Sequence, residues 1–143
     1  MTGGYANPLT LGQIEADLFV AEALIEKAKT LPGRRGKFFR GQAAYHLQQA
    51  AEKLIKIQIY ASGLGINHSK MYKHSLDDLI TYGQSLGAVL MIPEYVKRKK
   101  YIMTRWEAEG RYDIHFVVRL DTLERCLAEL KNWYIILKKK GIK

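Results

Sequence analysis

The residues able to do chemistry in this 143-residue chain crowd into one short stretch, Arg105-Trp106-Glu107-Ala108-Glu109-Gly110-Arg111-Tyr112-Asp113-Ile114-His115. Two arginines, a tyrosine, two glutamates, an aspartate and a histidine surround one glycine. Such a set serves as an active site, as an anion site or as a polar helix end, and the choice among the three decides the function. Arg111 and His115 have the side chains for the first two: a guanidinium stays charged at any working pH, whereas an imidazole exchanges its proton near neutrality. Arg105 adds a second cation. Under the plainest reading Arg105 and Glu109 form an exposed i,i+4 ion pair, and Arg111 binds back onto a helix end or holds Glu52 across the molecule.

The elements that must position this stretch follow from apolar spacing. Thr10, with Gln13 three residues later, starts a helix whose seam is Leu11, Ile14, Leu18, Ala21, Ile25 and Ala28 and which stops at Leu31-Pro32-Gly33. Arg34-Arg35-Gly36-Lys37 then reads as an exposed basic turn. A second helix from about Phe38 carries Phe39, Ala43, Leu47, Ala50, Leu54, Ile57 and Ala61 on one face. His46, Gln49, Lys53 and Lys56 form a polar stripe on another. Gly63 to Lys73 lacks a helical period and reads as a loop. Ser75 with Asp78 opens a short helix that ends near Gly87, and Pro93-Glu94 opens another that runs to Gly110, taken as its C-cap. Leu120, Leu123, Leu127, Leu130, Tyr134 and Leu137 give the last. With no alternating strand pattern, the expected fold is all-α, an antiparallel up-and-down bundle of about five helices in a single domain over residues 1–143, ordered from roughly 10 to 140.

Composition narrows the function classes. A net charge of +9 and a pI near 9.6 favour polyanionic partners, with Lys97-Arg98-Lys99-Lys100 and Lys138-Lys139-Lys140 concentrating charge late in the chain. The single Cys126 excludes an intrachain disulfide and suits a reducing cytoplasm. No run approaches the apolar length of a membrane span, so a cytoplasmic protein without a membrane partner is expected. Phosphate-loop, dinucleotide-binding, zinc-protease and serine-hydrolase motifs are missing, and so is the repeated Glu-x-x-His of di-iron bundles. His46, His68, His74 and His115 lack metal-ligand spacing and read as surface or capping residues. No metal and no cofactor are expected.

Gln48-Gln49-Ala50-Ala51-Glu52-Lys53 on the second helix, His74-Ser75-Leu76 after the loop, and Arg111-Tyr112 before the last helix resemble, in that order, the motifs of the HEPN domain family. The resemblance spans most of the chain, through short and degenerate motifs. It implies a helical bundle, a homodimer, and a partner minimal nucleotidyltransferase in a toxin–antitoxin-like pair. Some members of that family are metal-independent ribonuclease toxins with an arginine and a histidine four to six residues apart; others bind nucleotides or dock partners without catalysis. Only three residues separate Arg111 from His115, and nine separate Arg105 from it, so neither pair fits the catalytic spacing.

The leading expectation is therefore a noncatalytic module for nucleotide or RNA phosphate, with Arg105, Arg111, Tyr112, Lys53 and Lys56 as the binding residues. The enzymatic alternative is an endoribonuclease with His115 as general base and Arg111 stabilising the transition state. A third reading is a protein-interaction module that uses the late basic segment.

Overall fold

Three- and four-residue apolar spacing becomes six helices in the computed structural model, which describes residues 9–112 and 116–142. They are α1 (Leu11–Ala28), α2 (Gly33–Ala61), α3 (His68–Met71), α4 (Leu76–Ser85), α5 (Glu94–Tyr112) and α6 (Leu120–Lys139), and the described residues contain no strand. The side chain of Tyr112 and the whole of Asp113, Ile114 and His115 lie outside the described parts.

The α1 seam is buried at each expected position, Leu11, Ile14, Leu18, Ala21, Ile25 and Ala28. Gln13 Oε1 accepts from the Thr10 backbone N–H at 2.8 Å, closing the first turn. A cap of this kind contributes ~1 kcal/mol, whereas each fully buried Leu or Ile contributes ~1.5–3 kcal/mol; packing therefore dominates the stability of this helix.

Several boundaries differ from expectation. The second helix starts at Gly33 rather than Phe38, because Pro32 in extended geometry and Gly33 at φ +65° complete the corner by themselves. Arg34, Arg35 and Lys37 thus belong to the first turns of α2. The stretch read as a loop contains the single-turn α3, whose N-cap Asn67 side chain accepts from Ser69 N–H at 3.0 Å, so there are six described helices rather than about five. Gly110 is not a cap but lies inside α5, with an ordinary helical backbone.

Helix α2 is central and packs against α1, α4, α5 and α6. Helix α6 runs antiparallel to α1: Tyr134 meets Glu15, Lys131 meets Glu22, and Lys29 meets Glu124. Helix α5 runs antiparallel to α2. At one end, buried Gln58 pairs with the backbone of Met91, accepting from its N–H at 2.7 Å and donating to its carbonyl at 3.0 Å. At the other, Gly110 meets Gly41. One hydrophobic cluster draws residues from α1 through α6, including Trp106 of α5 and Trp133 of α6.

Candidate functional site

Gln48, Glu52 and Lys56 follow at four-residue intervals along α2 and share one ridge. Glu52 is buried, and its carboxylate is met from several sides. Lys56 Nζ donates to Oε1 at 2.7 Å, Gln48 Nε2 donates to Oε2 at 3.2 Å, and His74 Nδ1 lies 3.1 Å from Oε1. Gln48 also donates to the His74 carbonyl at 3.1 Å. A buried carboxylate is tolerated only with partners of this kind. The arrangement fastens the segment before α4 onto α2. Ser75 Oγ then accepts from Asp78 N–H to start α4, and Thr104 of α5 accepts from Leu76 N–H at 3.0 Å.

A second polar contact lies on the α1 side of α2. Asp17 Oδ1 is 3.2 Å from His46 Nδ1, and Lys53 Nζ donates to Asp17 Oδ2 at 2.5 Å. Burial pushes the Asp17 carboxyl up, but the hydrogen bonds and charges of His46 and Lys53 outweigh it and hold the group below its ordinary value of 3.8.

The end of α5 is shaped by two glycines. A Cβ on Gly110 would sit 2.5 Å from the Gly41 carbonyl oxygen, and a Cβ on Gly41 would sit 2.6 Å from that of Gly110. Only glycine on both helices allows such an approach. The contact sets the end of α5 against the first half of α2. Here Arg111 donates to the Glu107 carbonyl at 3.0 Å and to the Glu107 carboxylate at 2.7 Å, and its guanidinium carbon stands 4.5 Å from the centre of the Tyr45 ring. Stacking on an aromatic face and a same-helix carboxylate hold the guanidinium in one orientation. The same half of α2 carries Arg34, Arg35, Lys37 and Arg40.

The expected site residues divide accordingly. Arg105 forms the exposed pair with Glu109 at 3.0 Å. Arg111 does not hold Glu52: it pairs with Glu107 and stacks on Tyr45, whereas Glu52, seven positions farther along α2 and roughly 10 Å from Tyr45 at the helical rise, is met by Lys56, Gln48 and His74. Lys53 and Lys56 lie eight and eleven positions along α2 from Tyr45, roughly 12 and 16 Å along the axis, and are committed to Asp17 and Glu52. Tyr112 closes α5 with its backbone, while its side chain and His115 fall outside the described residues. The structure thus brings Arg111 to Tyr45, with Arg40 five positions away toward the start of α2, and leaves Lys53 and Lys56 paired elsewhere. Tyr45 and the Gly41–Gly110 contact were missed in the sequence. The signal was present as two isolated glycines inside helical patterns, which mark close backbone approach.

Two other arrangements bear on the chemistry. A cleft of about 170 Å³ between α1 and α6 is lined by Glu22, Glu26 and Glu124 with Ile25, Leu127 and Lys131, an acidic lining ill-suited to phosphate. Among the described residues no group of three or more His, Cys, Asp or Glu side chains is placed to hold a metal, and no helix is long and apolar enough to cross a membrane. No family model, curated protein or solved structure matches this chain.

Proposed function

We propose that this protein is a HEPN-type helical module that binds a nucleotide or RNA phosphate where the end of α5 meets the first half of α2, and that it acts with a partner nucleotidyltransferase. The observation that carries this reading is the Gly41–Gly110 contact. Through it, Arg111 stacks on Tyr45, and the turns of α2 that lead from its start to Tyr45 carry Arg34, Arg35, Lys37 and Arg40, Arg40 the nearest at five positions, with no acidic residue in the first turn. An oriented guanidinium gives directional hydrogen bonds to phosphate, surrounding cations add a nonspecific attraction, and Tyr45 offers a ring near the same point. Arg105 and Tyr112 lie on the same last turns of α5. The resemblance of Gln48 to Lys53, His74 to Leu76 and Arg111-Tyr112 to HEPN motifs supports the family reading. The reading is noncatalytic in the first instance, since Arg111 and His115 stand closer in sequence than the catalytic spacing of that family.

The test is equilibrium binding of labelled ATP and of a short RNA to the wild type, to Arg111→Ala and to Lys53→Ala. Loss of a charged hydrogen bond worth ~1.5–3 kcal/mol should weaken binding by Arg111→Ala about ten- to a hundredfold, while Lys53→Ala, altered roughly 12 Å from Tyr45 at a lysine held by Asp17, should bind nearly as the wild type does. Absent binding, or equal binding by Arg111→Ala and wild type, sinks the site.

A further inference from the structure

Helix α5 has two contrasting sides. Tyr95, Val96, Met103 and Trp106 point into the core, whereas Lys97, Arg98, Tyr101, Ile102 and Arg105 face outward. Their spacing makes one stripe along the helix, roughly 12 Å long at the helical rise. Tyr101 is 64% and Ile102 49% exposed, in the middle of the cations. From Lys97 to Arg105 the chain carries five basic residues, and no acidic residue occurs between Glu94 and Glu107.

The cations elsewhere make the contrast. Lys53, Lys56, Lys100 and Lys131 each hold a carboxylate of this chain, Asp17, Glu52, Asp77 and Glu22 respectively. Among the described residues, Lys97 and Arg98 hold none. The fold therefore leaves Lys97 and Arg98 beside two exposed apolar side chains, while Arg105 at the end of the stripe is held by Glu109. A solvated face needs the cations alone. Exposed apolar area beside them costs free energy in water and is recovered only against an apolar surface.

We propose that the outer face of α5 docks an acidic, amphipathic segment of a partner protein, whose carboxylates meet Lys97 and Arg98 and whose apolar side chains cover Tyr101 and Ile102. Ile102 decides for protein over nucleic acid: an aliphatic side chain has neither a ring to stack on a base nor a donor for phosphate. A second copy of this chain is a poorer match. Its exposed Phe19 does lie on the acidic α1, but the flanking Glu15 and Glu22 are already taken by Tyr134 and Lys131. This surface is separate from the Arg111 site and does not depend on it.

The experiment uses the full chain and a fluorescein-labelled helical peptide with leucines on one face and glutamates beside them. Its control has the same charge with every leucine replaced by serine. Binding to the leucine peptide is expected, with a much weaker signal for the serine peptide. Lys97→Glu/Arg98→Glu and, separately, Tyr101→Ser/Ile102→Ser should each weaken it about tenfold or more, the first pair through charge and the second through apolar cover. Labelled ATP binding should persist in the Lys97→Glu/Arg98→Glu variant, which keeps the outcome distinct from that of the Arg111 site. Equal binding of the two peptides overturns the proposal. So does an oligo-uridine RNA that binds in the peptide's place and ignores Tyr101→Ser/Ile102→Ser, or a wild-type dimer that the charge reversal converts to monomer in sedimentation.

Discussion

Burial pushes the Asp17 carboxyl up, yet His46 and Lys53 hold it below 3.8, and the sign of the resulting pH dependence follows. A carboxyl with a folded value below its unfolded value contributes stability that is complete above the unfolded value and is lost as pH falls through the folded one. Asp17→Asn keeps the shape and removes the charge. The variant should be less stable than wild type at neutral pH; the gap should begin to shrink as pH falls below about 4, the unfolded value, and close only under the lowered folded value, where the wild-type carboxyl is protonated too. Urea unfolding midpoints at neutral and acid pH check this; a gap that stays constant across that range refutes the assignment. Cys126 shows the opposite effect, for burial drives its thiol far up and leaves it a packing side chain rather than a nucleophile. Glu52, His74 and Gln48 likewise show how residues that resemble a functional motif are occupied with one another inside the fold.

At the level of helices, glycine has opposite meanings at different positions. Gly12 sits on the outside of α1, where an added Cβ would meet only Thr10 Oγ1 at 3.6 Å. Gly12→Ala should therefore stabilise the protein by ~0.5–1 kcal/mol through helix propensity. Gly110→Ala puts the same methyl into the backbone of α2, and the helices must part at a cost of ~1–3 kcal/mol. Denaturant midpoints of the two variants should move in opposite directions. If Gly110→Ala is as stable as wild type, α5 does not rest on α2 at that contact. The separation also matters for the proposed site, because Tyr45 lies one turn beyond Gly41 and Arg111 directly follows Gly110.

Across the whole molecule, Trp106 on α5 and Trp133 on α6 report on the same core from two helices that both rest on α2. The Trp133 indole N–H has no hydrogen-bond partner among the described residues, a cost of ~1–3 kcal/mol that burial of so large a ring offsets. With one shared cluster, unfolding should be a single cooperative event. Tryptophan fluorescence and far-ultraviolet circular dichroism should give superimposable denaturant transitions; separated midpoints would mean that α5 or α6 detaches before the rest. Charge is organised at the same scale: acidic side chains line the α1–α6 cleft, and Lys97 and Arg98 stand exposed on the outer face of α5.

The sequence by itself determined the helical class, the six buried positions of α1, the Ser75 start of α4 and the exposed Arg105–Glu109 pair. All of these rest on interactions between residues three or four apart, which spacing reveals directly. The start of α2 was missed because a tight corner needs only Pro32 and Gly33, leaving the basic residues after them free to be helical. Only the tertiary structure decided that Glu52 belongs to His74, that Lys53 belongs to Asp17 and that Arg111 rests on Tyr45 of α2. Periodicity orders residues around each helix but carries no register between helices. That register comes from side-chain volume, above all from two glycines whose missing methyls let α2 and α5 meet at one point.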